Sequence, residues 1–170
     1  ELVFPSTCPE IINKEKFPQF SEFERVAVEV EGRHFWVGPD SNRSTQSFRT
    51  LSPEYIYSPQ YEALIRGAWH YMIRESGAQP SNLDLLVLGL PVADFAQKRE
   101  DLGRIGKRSR LIPMPSTVAD SIRIPNRVLH VNKMLVLPQP FGAAILARTA
   151  AGNESILDSR VKTFSPGRRR

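Results

Sequence analysis

The stretch LDLLVLGLPV, residues 83–92, constrains the fold of this chain more than any other part of its sequence. Its nearly continuous apolar run is typical of a parallel strand that is buried on both faces. A helical pattern precedes it, with Ser58 as a possible N-cap and Pro59 at the first helical position, and this helix should end near Gly77. A strand buried between helices predicts an α/β fold.

The first helix should bury one face. The apolar spacing assigns to this face Tyr61, Leu64, Ile65, Ala68, Met72 and Ile73. Before the helix, VAVEVEGRHFWVG (residues 26–38) alternates apolar and polar side chains around Glu31-Gly32, which predicts an antiparallel hairpin.

Helices and strands continue to alternate after the long strand. Asp94 can cap a second helix with Phe95, Leu102 and Ile105 in its core contacts. A proline-rich crossing then leads to NRVLHVNKMLVLP (residues 126–138), which predicts another strand, and residues 141–151 predict a third helix. We therefore expect a mostly parallel sheet with flanking helices and the hairpin as its antiparallel part.

Composition narrows the class of protein. With 170 residues and 41% hydrophobic content, the chain suits one globular domain, and no apolar run approaches the roughly 20 residues of a membrane helix. Cys8 is the only cysteine, so no internal disulfide can form. The first residues lack the pattern of a signal peptide, and we expect a cytoplasmic protein. Cys8 is either a catalytic thiol or, more commonly for such a residue, a buried structural one.

The positive charge gives only weak support for nucleic-acid binding. The net charge is +5, and residues 168–170 are three arginines, so the remainder carries +2 (5 minus 3). The other basic segment, residues 98–110, is either a solvated helix face and loop or an anion contact. No nucleic-acid recognition motif appears, so this function ranks last.

Two other groups of residues lack the spacing of known sites. The glycines and lysine of residues 103–107 do not have P-loop spacing. His34, His70 and His130 lie on separate elements without metal-ligand spacing, so we expect hydrogen-bonded structural roles for them.

Ligands of open α/β sheets bind beyond the carboxyl ends of the strands, and two strand ends are candidates here. The first carries Gly89 and Pro91, where glycine either ends the strand or permits close backbone approach. The second carries Gln139 between Pro138 and Pro140. Its amide can donate and accept hydrogen bonds and so orient a water molecule, or it is an ordinary loop residue near a helix end.

Several stretches together resemble the bacterial actin-like ATPases of the ParM/StbA plasmid-segregation type, and within them the ParM-like protein D group. The matching stretches occur in the family's order: FPS at residues 4–6, VAVEVEGRHFWVG, SPQYEALIRGAWHYMI, LDLLVLGLPV and MLVLPQPFGAAILA. They cover most of residues 2–150. The resemblance implies an actin-like, ribonuclease H-like lobe: an α/β fold with a mixed sheet, an antiparallel hairpin and flanking helices.

The resemblance also implies site residues. Gln139 falls where actins place a glutamine near the attacking water and some ParM-like proteins have an acid. Gly89 and Pro91 fall at the family's strand-exit motif, and Gly89 is the cofactor-binding candidate there. A second phosphate loop of D-x-G-x-x-T-x-D type should follow residue 155, where Asp158 and Thr163 fit the pattern. Arg160 and Ser165 replace its glycine and its last acid, so the loop is degraded or the tail is not native.

The resemblance divides the chain into two parts. Residues 1–152 correspond to the first lobe without its first phosphate loop, and residues 153–170 to the degraded second loop or a non-native basic tail. The resemblance implies that the full-length protein binds ATP and Mg²⁺ and hydrolyses the ATP; we expect this chain alone to bind neither and to be inactive.

Two functions remain open from the sequence. The first is part of a nucleotide-dependent filament protein that partitions plasmid DNA, with filament self-association or an adaptor as partner, an indirect link to the DNA and no membrane. The alternative is a non-catalytic actin-like binding module that contacts filaments or a partner protein.

Overall fold

The computed structural model describes residues 4–12, 24–43, 52, 54–78, 80–116 and 125–139. Within these ranges the regular elements are β1 (Val26–Val30), β2 (Arg33–Val37), α1 (Pro59–Ser76), β3 (Asn82–Leu90), α2 (Val92–Gly106), β4 (Arg110–Pro113) and β5 (Asn126–Pro138). Short 3₁₀ turns add Ser41–Arg43 and Tyr55–Tyr57. The predicted third helix at residues 141–151 lies outside these ranges.

The predicted hairpin is confirmed. β1 and β2 pair antiparallel in a two-stranded sheet, with Val28 opposite Phe35. Glu31 and Gly32 both have positive φ, 53° and 76°, the backbone of a type I′ turn that matches the twist of the strands. Residues 9–11 extend this sheet with backbone hydrogen bonds to β2.

The second sheet has the strand order β3-β5-β4. β5 lies in the centre, parallel to β3 and antiparallel to β4. The α/β class with a mixed sheet is confirmed. β4 is not among the predicted strands, because its four residues lie between α2 and β5, where the sequence predicts a proline-rich crossing. It supplies the antiparallel pairing of this sheet, while the hairpin forms a sheet of its own.

The ends of α1 are confirmed at both predicted residues. The Ser58 hydroxyl accepts a hydrogen bond from the backbone N–H of Tyr61 at 3.2 Å, and Pro59 begins the helix. Gly77 ends it in the left-handed conformation with φ 64°, and its N–H donates to the carbonyl of Ile73. These local signals depend on neighbouring residues alone, which is why the sequence carries them.

The predicted buried face of α1 is partly wrong, since Met72 is 44% exposed. The helix lies between two cores and is buried along two sides. Toward the three-stranded sheet it contributes Ile65, Trp69 and Ile73. Toward the hairpin it contributes Ala63 and, partly buried, Leu64. A helix that packs on two sides has a wider apolar surface than a single stripe, and the single-face pattern therefore misplaced Met72.

The prediction that β3 is buried on both faces is also wrong for the described residues. Leu86 and Leu90 are buried, whereas Leu85 and Val87 are 50% and 47% exposed. The cores of α1 and α2 both include side chains from the same face of β3, so the two helices cover one side of the sheet. The opposite side has no cover among the described elements.

The start of α2 differs from the prediction. The helix begins at Val92 with Pro91 as its N-cap, and the predicted cap Asp94 lies in the first turn. Its carboxylate pairs instead with Lys98, with Oδ1 and Nζ 2.9 Å apart. The helix therefore follows β3 after a single residue. The predicted core contacts are confirmed, with Leu102 and Ile105 buried and Phe95 partly buried.

A buried arginine joins the end of α2 to α1 and β4, a role that neither prediction for residues 98–110, a solvated helix face and loop or an anion contact, includes. The Arg110 side chain is 0% exposed, and its Nε lies 2.9 Å and 3.0 Å from the two carboxylate oxygens of Glu62 on α1. Its remaining nitrogens donate to the carbonyls of Ile105, Gly106 and Arg108. All of its polar atoms are thus committed to holding three elements together.

Removing the charge of Glu62 should destabilise the folded protein strongly. We expect Glu62→Gln to lower the free energy of unfolding by about 3–5 kcal/mol, because it leaves the buried Arg110 guanidinium without a counter-charge. Urea denaturation followed by circular dichroism measures this. Glu75→Gln is the control: Glu75 is 57% exposed in its pair with Arg74, and the loss there should stay below about 1 kcal/mol. Equal losses in both variants would contradict the anchoring role.

Gly67→Ala should destabilise the protein although alanine favours helices. A Cβ at Gly67 would lie 2.6 Å from the Cβ of Val37, so α1 would have to move away from β2 at a cost of roughly 1–3 kcal/mol. Gly103→Ala in α2 is the matched control, since nothing lies within 4 Å of its Cβ position, and it should stabilise by about 1 kcal/mol. Thermal unfolding of both variants checks the opposite signs.

Candidate functional site at the strand exits

The two predicted strand exits lie side by side. The parallel register of β3 and β5 places Gly89 opposite Leu137 and Leu90 opposite Pro138. Both strands therefore end at the same level of the sheet, and their carboxyl ends share one edge. This is the position at which open α/β sheets bind ligands.

Gln139 extends from this edge next to Gly89. A Cβ placed on Gly89 would lie 3.1 Å from the Cγ of Gln139 and 4.0 Å from the carbonyl oxygen of Leu137. The glycine thus leaves room for the stem of the glutamine side chain. Gln139 is exposed and has helical backbone, so its amide is accessible at the surface. It can donate two hydrogen bonds and accept two.

The beginning of α2 lies at the same edge. α2 starts at Val92, directly after Pro91 at the end of β3. The first backbone N–H groups of a helix carry partial positive charge and favour anions. Asp94 occupies this first turn and is already paired with Lys98. This edge of the sheet therefore combines the start of α2, the exposed amide of Gln139 and the open space at Gly89.

Sequence reasoning did not single out Leu90, which is 2% exposed and packs with Leu102 and Ile105 of α2. It fixes the end of β3 against the helix that follows. The sequence does contain a signal for this residue, because Leu86, Leu88 and Leu90 are two residues apart and therefore lie on the same face of β3.

Two of the four predicted site residues lie outside the described ranges. Asp158 and Thr163 belong to residues 153–170, for which the structure gives no account. Arg160 and Ser165 lie there as well. The structure brings together Gly89 and Gln139 only, and the roles of all four residues stay predictions.

The histidines have the hydrogen-bonded environments expected of structural residues in two of three cases. Nδ1 of His70 lies 2.7 Å from the carbonyl oxygen of Pro113, and that of His130 lies 2.6 Å from the Ser109 hydroxyl. Burial lowers the pKa of His70 below its usual range. Nε2 of His34 lies 3.7 Å from Glu29, while its buried Nδ1 has no hydrogen-bond partner. No group of three potential metal ligands occurs within the part of the chain that the structure describes.

A cleft of about 150 Å³ lies apart from the strand exits, beside the hairpin turn and the start of α1. Its walls include Glu31, Ser58, Glu62 and Arg108. Glu62 is committed to Arg110. Neither Gly89 nor Gln139 lines it, and it adds no group to the candidate site.

The fold of the chain indicates the class of protein to which it belongs. The chain is similar to the crystal structure of the apo pSK41 ParM protein, with a TM-score of 0.57, 16% sequence identity, and coverage of 82% of this chain and 43% of that one. The chain thus has an actin-like fold and spans less than half the length of this structural relative. No curated protein matches the sequence.

The amino-acid sequence shows the protein family to which the chain belongs. The family described as the actin-like proteins N-terminal domain matches residues 1–142, and the chain belongs to this family. The predicted actin-like, ParM-type fold is thereby confirmed. Among the described residues, no helix is long and apolar enough to cross a membrane.

Cys8 should behave as an inert structural thiol. It is 7% exposed, and burial raises its pKa to about 12. At pH 8 only about one thiol in 10⁴ is then ionised, so disulfide reagents should react at least about 100-fold more slowly with the native than with the unfolded chain. Absorbance after adding dithionitrobenzoate measures both rates. Rapid reaction of the native thiol would revive its catalytic interpretation.

Proposed function

We propose that this chain is the first-lobe part of an actin-like, nucleotide-dependent filament protein that acts in plasmid DNA partitioning. The observation that carries the proposal is the close approach of Gln139 to Gly89 at the shared carboxyl edge of β3 and β5. Family membership and the ParM-like fold support the same function. The StbA type and the protein D group are the finer assignment that we propose with it.

Gln139 has the chemistry to orient a water molecule for attack on a phosphate. A neutral amide is too weak a base to remove the proton, but it can hold a water by one accepted and one donated hydrogen bond. Gly89 contributes space, because a Cβ here would lie 3.1 Å from the Cγ of Gln139 and would shift that side chain slightly. In this proposal Gln139 positions the water, and Gly89 permits that position.

ATP and Mg²⁺ are the proposed cofactors of the full-length protein. The described residues offer an exposed amide and a helix start at this edge, and they contain no cluster of three potential metal ligands. Mg²⁺ commonly keeps several waters and takes its other ligands from nucleotide phosphates and one or two carboxylates. Asp158 and Thr163 are the residues we propose for the nucleotide from this chain.

Self-association into filaments, with an adaptor as the link to plasmid DNA, is the proposed partnership. The actin-like family and the likeness to a ParM protein support it. Two basic residues of the segment 98–110 are already engaged within the protein, since Arg110 is buried and Lys98 is paired within its own helix.

The role of Gln139 can be measured in the full-length protein. We expect Gln139→Ala to lower kcat for ATP hydrolysis by about 10²-fold while nucleotide affinity changes little, because the amide acts on the water and not on the nucleotide. Phosphate release and equilibrium nucleotide binding give the two values. Gln139→Glu should restore part of the rate, since a carboxylate can also hold the water.

Gln97→Ala is the matched control, because Gln97 is an exposed glutamine on α2 beyond its first turn. Its hydrolysis rate should equal that of the unchanged protein. An unchanged rate in Gln139→Ala would overturn the assignment of Gln139. A full-length protein that binds no ATP but sediments with preformed filaments of a relative would instead establish the non-catalytic binding module.

A further inference from the structure

The cleft beside the hairpin turn has an apolar floor. It measures about 150 Å³ and lies where the turn, the start of α1 and the end of α2 meet. Three of its lining residues, Val30, Ile56 and Ile105, are buried, so side chains of the apolar cores form its floor. We name it the hairpin cleft. A ligand that enters it meets aliphatic side chains.

The volume of the hairpin cleft limits what it can hold. Binding sites for drug-sized molecules usually measure roughly 300–1,000 Å³. An apolar cavity of about 150 Å³ accommodates one benzene ring. The hairpin cleft, at about 150 Å³, therefore suits a single large side chain and not a whole cofactor. Single side chains in such pockets commonly anchor contacts between proteins.

Tyr57 adds an aromatic surface at the rim of the hairpin cleft. It lines the cleft and is 47% exposed. Its hydroxyl donates a hydrogen bond to the carboxylate of Asp101 on α2, which also pairs with Arg104. These contacts restrict the ring before a partner binds, so less conformational entropy is lost on binding. Exposed tyrosine of this kind is typical of protein interfaces.

The charges around the hairpin cleft favour an acidic group in the ligand. The carboxylate of Glu62 accepts hydrogen bonds from Nε of Arg66 and Nε of Arg110, so two positive charges offset its one negative charge. Arg108 also lines the cleft; it is exposed and, within the described ranges, forms no ion pair. With Glu31 included, three arginines stand against two glutamates, which leaves one positive charge in excess.

The positions of Arg108 and Glu31 give the hairpin cleft a direction. Arg108 follows the end of α2, whereas Glu31 lies in the hairpin turn. Lys107, next to Arg108, is exposed as well. A carboxylate of a ligand is therefore attracted to the α2 side of the cleft and repelled from the hairpin side. An anion contact is one of the two predictions for residues 98–110, and Arg108 has the position for it.

We propose that the hairpin cleft is a docking site for an acidic segment of a partner protein. One apolar side chain of that segment fills the space over Val30, Ile56 and Ile105, and a neighbouring carboxylate pairs with Arg108. The apolar side chain supplies most of the affinity, and the carboxylate sets the orientation. The inference does not rest on the proposed function, because the residues of the strand exits do not line the cleft.

Binding of labelled peptides to the full-length protein tests the docking site. The probe is a fluorescent pentapeptide with one leucine between two pairs of aspartates, followed by fluorescence polarisation. We expect saturable binding with a Kd below about 1 mM. Replacing the leucine by serine should weaken binding at least about tenfold, because the buried apolar side chain is lost. Replacing the aspartates by lysines should weaken it by a similar factor, at least about tenfold, through repulsion by Arg108.

A charge reversal on the protein tests the orientation. We expect Arg108→Glu to weaken binding of the aspartate peptide at least about tenfold and to strengthen binding of the lysine peptide. Because one peptide gains affinity, unfolding of the variant cannot produce this result. Arg99→Glu is the matched control: Arg99 is exposed on the same helix and does not line the cleft. Its affinity for either peptide should stay within about twofold of that of the unchanged protein.

Several outcomes would overturn the proposal. They are the absence of saturable binding, equal affinity for the leucine and serine peptides, and equal losses in Arg108→Glu and Arg99→Glu. Labelled duplex DNA that binds through Arg108 in place of the peptide would assign the rim to nucleic acid. Self-association that Arg108→Glu abolishes and that displaces the peptide would assign the cleft to a second copy. Gln139→Ala should bind the peptide like the unchanged protein, so failure of the proposed function leaves this inference intact.

Discussion

The ion pair between Arg110 and Glu62 is the interaction on which the arrangement of the described elements depends. A buried guanidinium is costly to remove from water and is tolerated only when each of its N–H groups finds an acceptor. Arg110 meets this condition through one carboxylate and three carbonyls at the end of α2. The carbonyls of Ile105 and Gly106 lie in the last turn of α2 and carry partial negative charge, and that of Ile105 also accepts from the backbone N–H of Arg108. One side chain therefore caps α2, begins β4 and binds α1.

Glu62 extends this network to the hairpin. Its carboxylate also accepts from Nε of Arg66 at 2.8 Å, and Arg66 donates to the carbonyl of Glu29 in β1 at 3.1 Å. α1 is thus tied to both sheets by charge as well as by its two apolar sides. The close approach of Gly67 to Val37 leaves no space between α1 and β2. One helix, α1, therefore holds the two sheets together.

The sequence predicted those features that are encoded within a few residues. The Ser58 cap, the Gly77 stop and the Glu31-Gly32 turn depend on local backbone chemistry, and the structure has each of them. The errors concern features that depend on distant partners. Met72 is exposed because α1 packs on two other sides, and the burial of Arg110 requires Glu62, 48 residues earlier. β4 is too short to show a period, and only its pairing with β5 defines it as a strand.

The candidate site was predictable for a different reason. The rule that ligands bind at the carboxyl ends of strands needs only the strand order, and the parallel register of β3 and β5 makes their exits neighbours. What the sequence did not contain is the close approach of Gly89 to Gln139, which depends on both strands ending at the same level. An amide that positions water must itself be held within a fraction of an ångström. Gln139 directly follows Pro138, the last paired residue of β5, so the register between β3 and β5 sets where its amide lies.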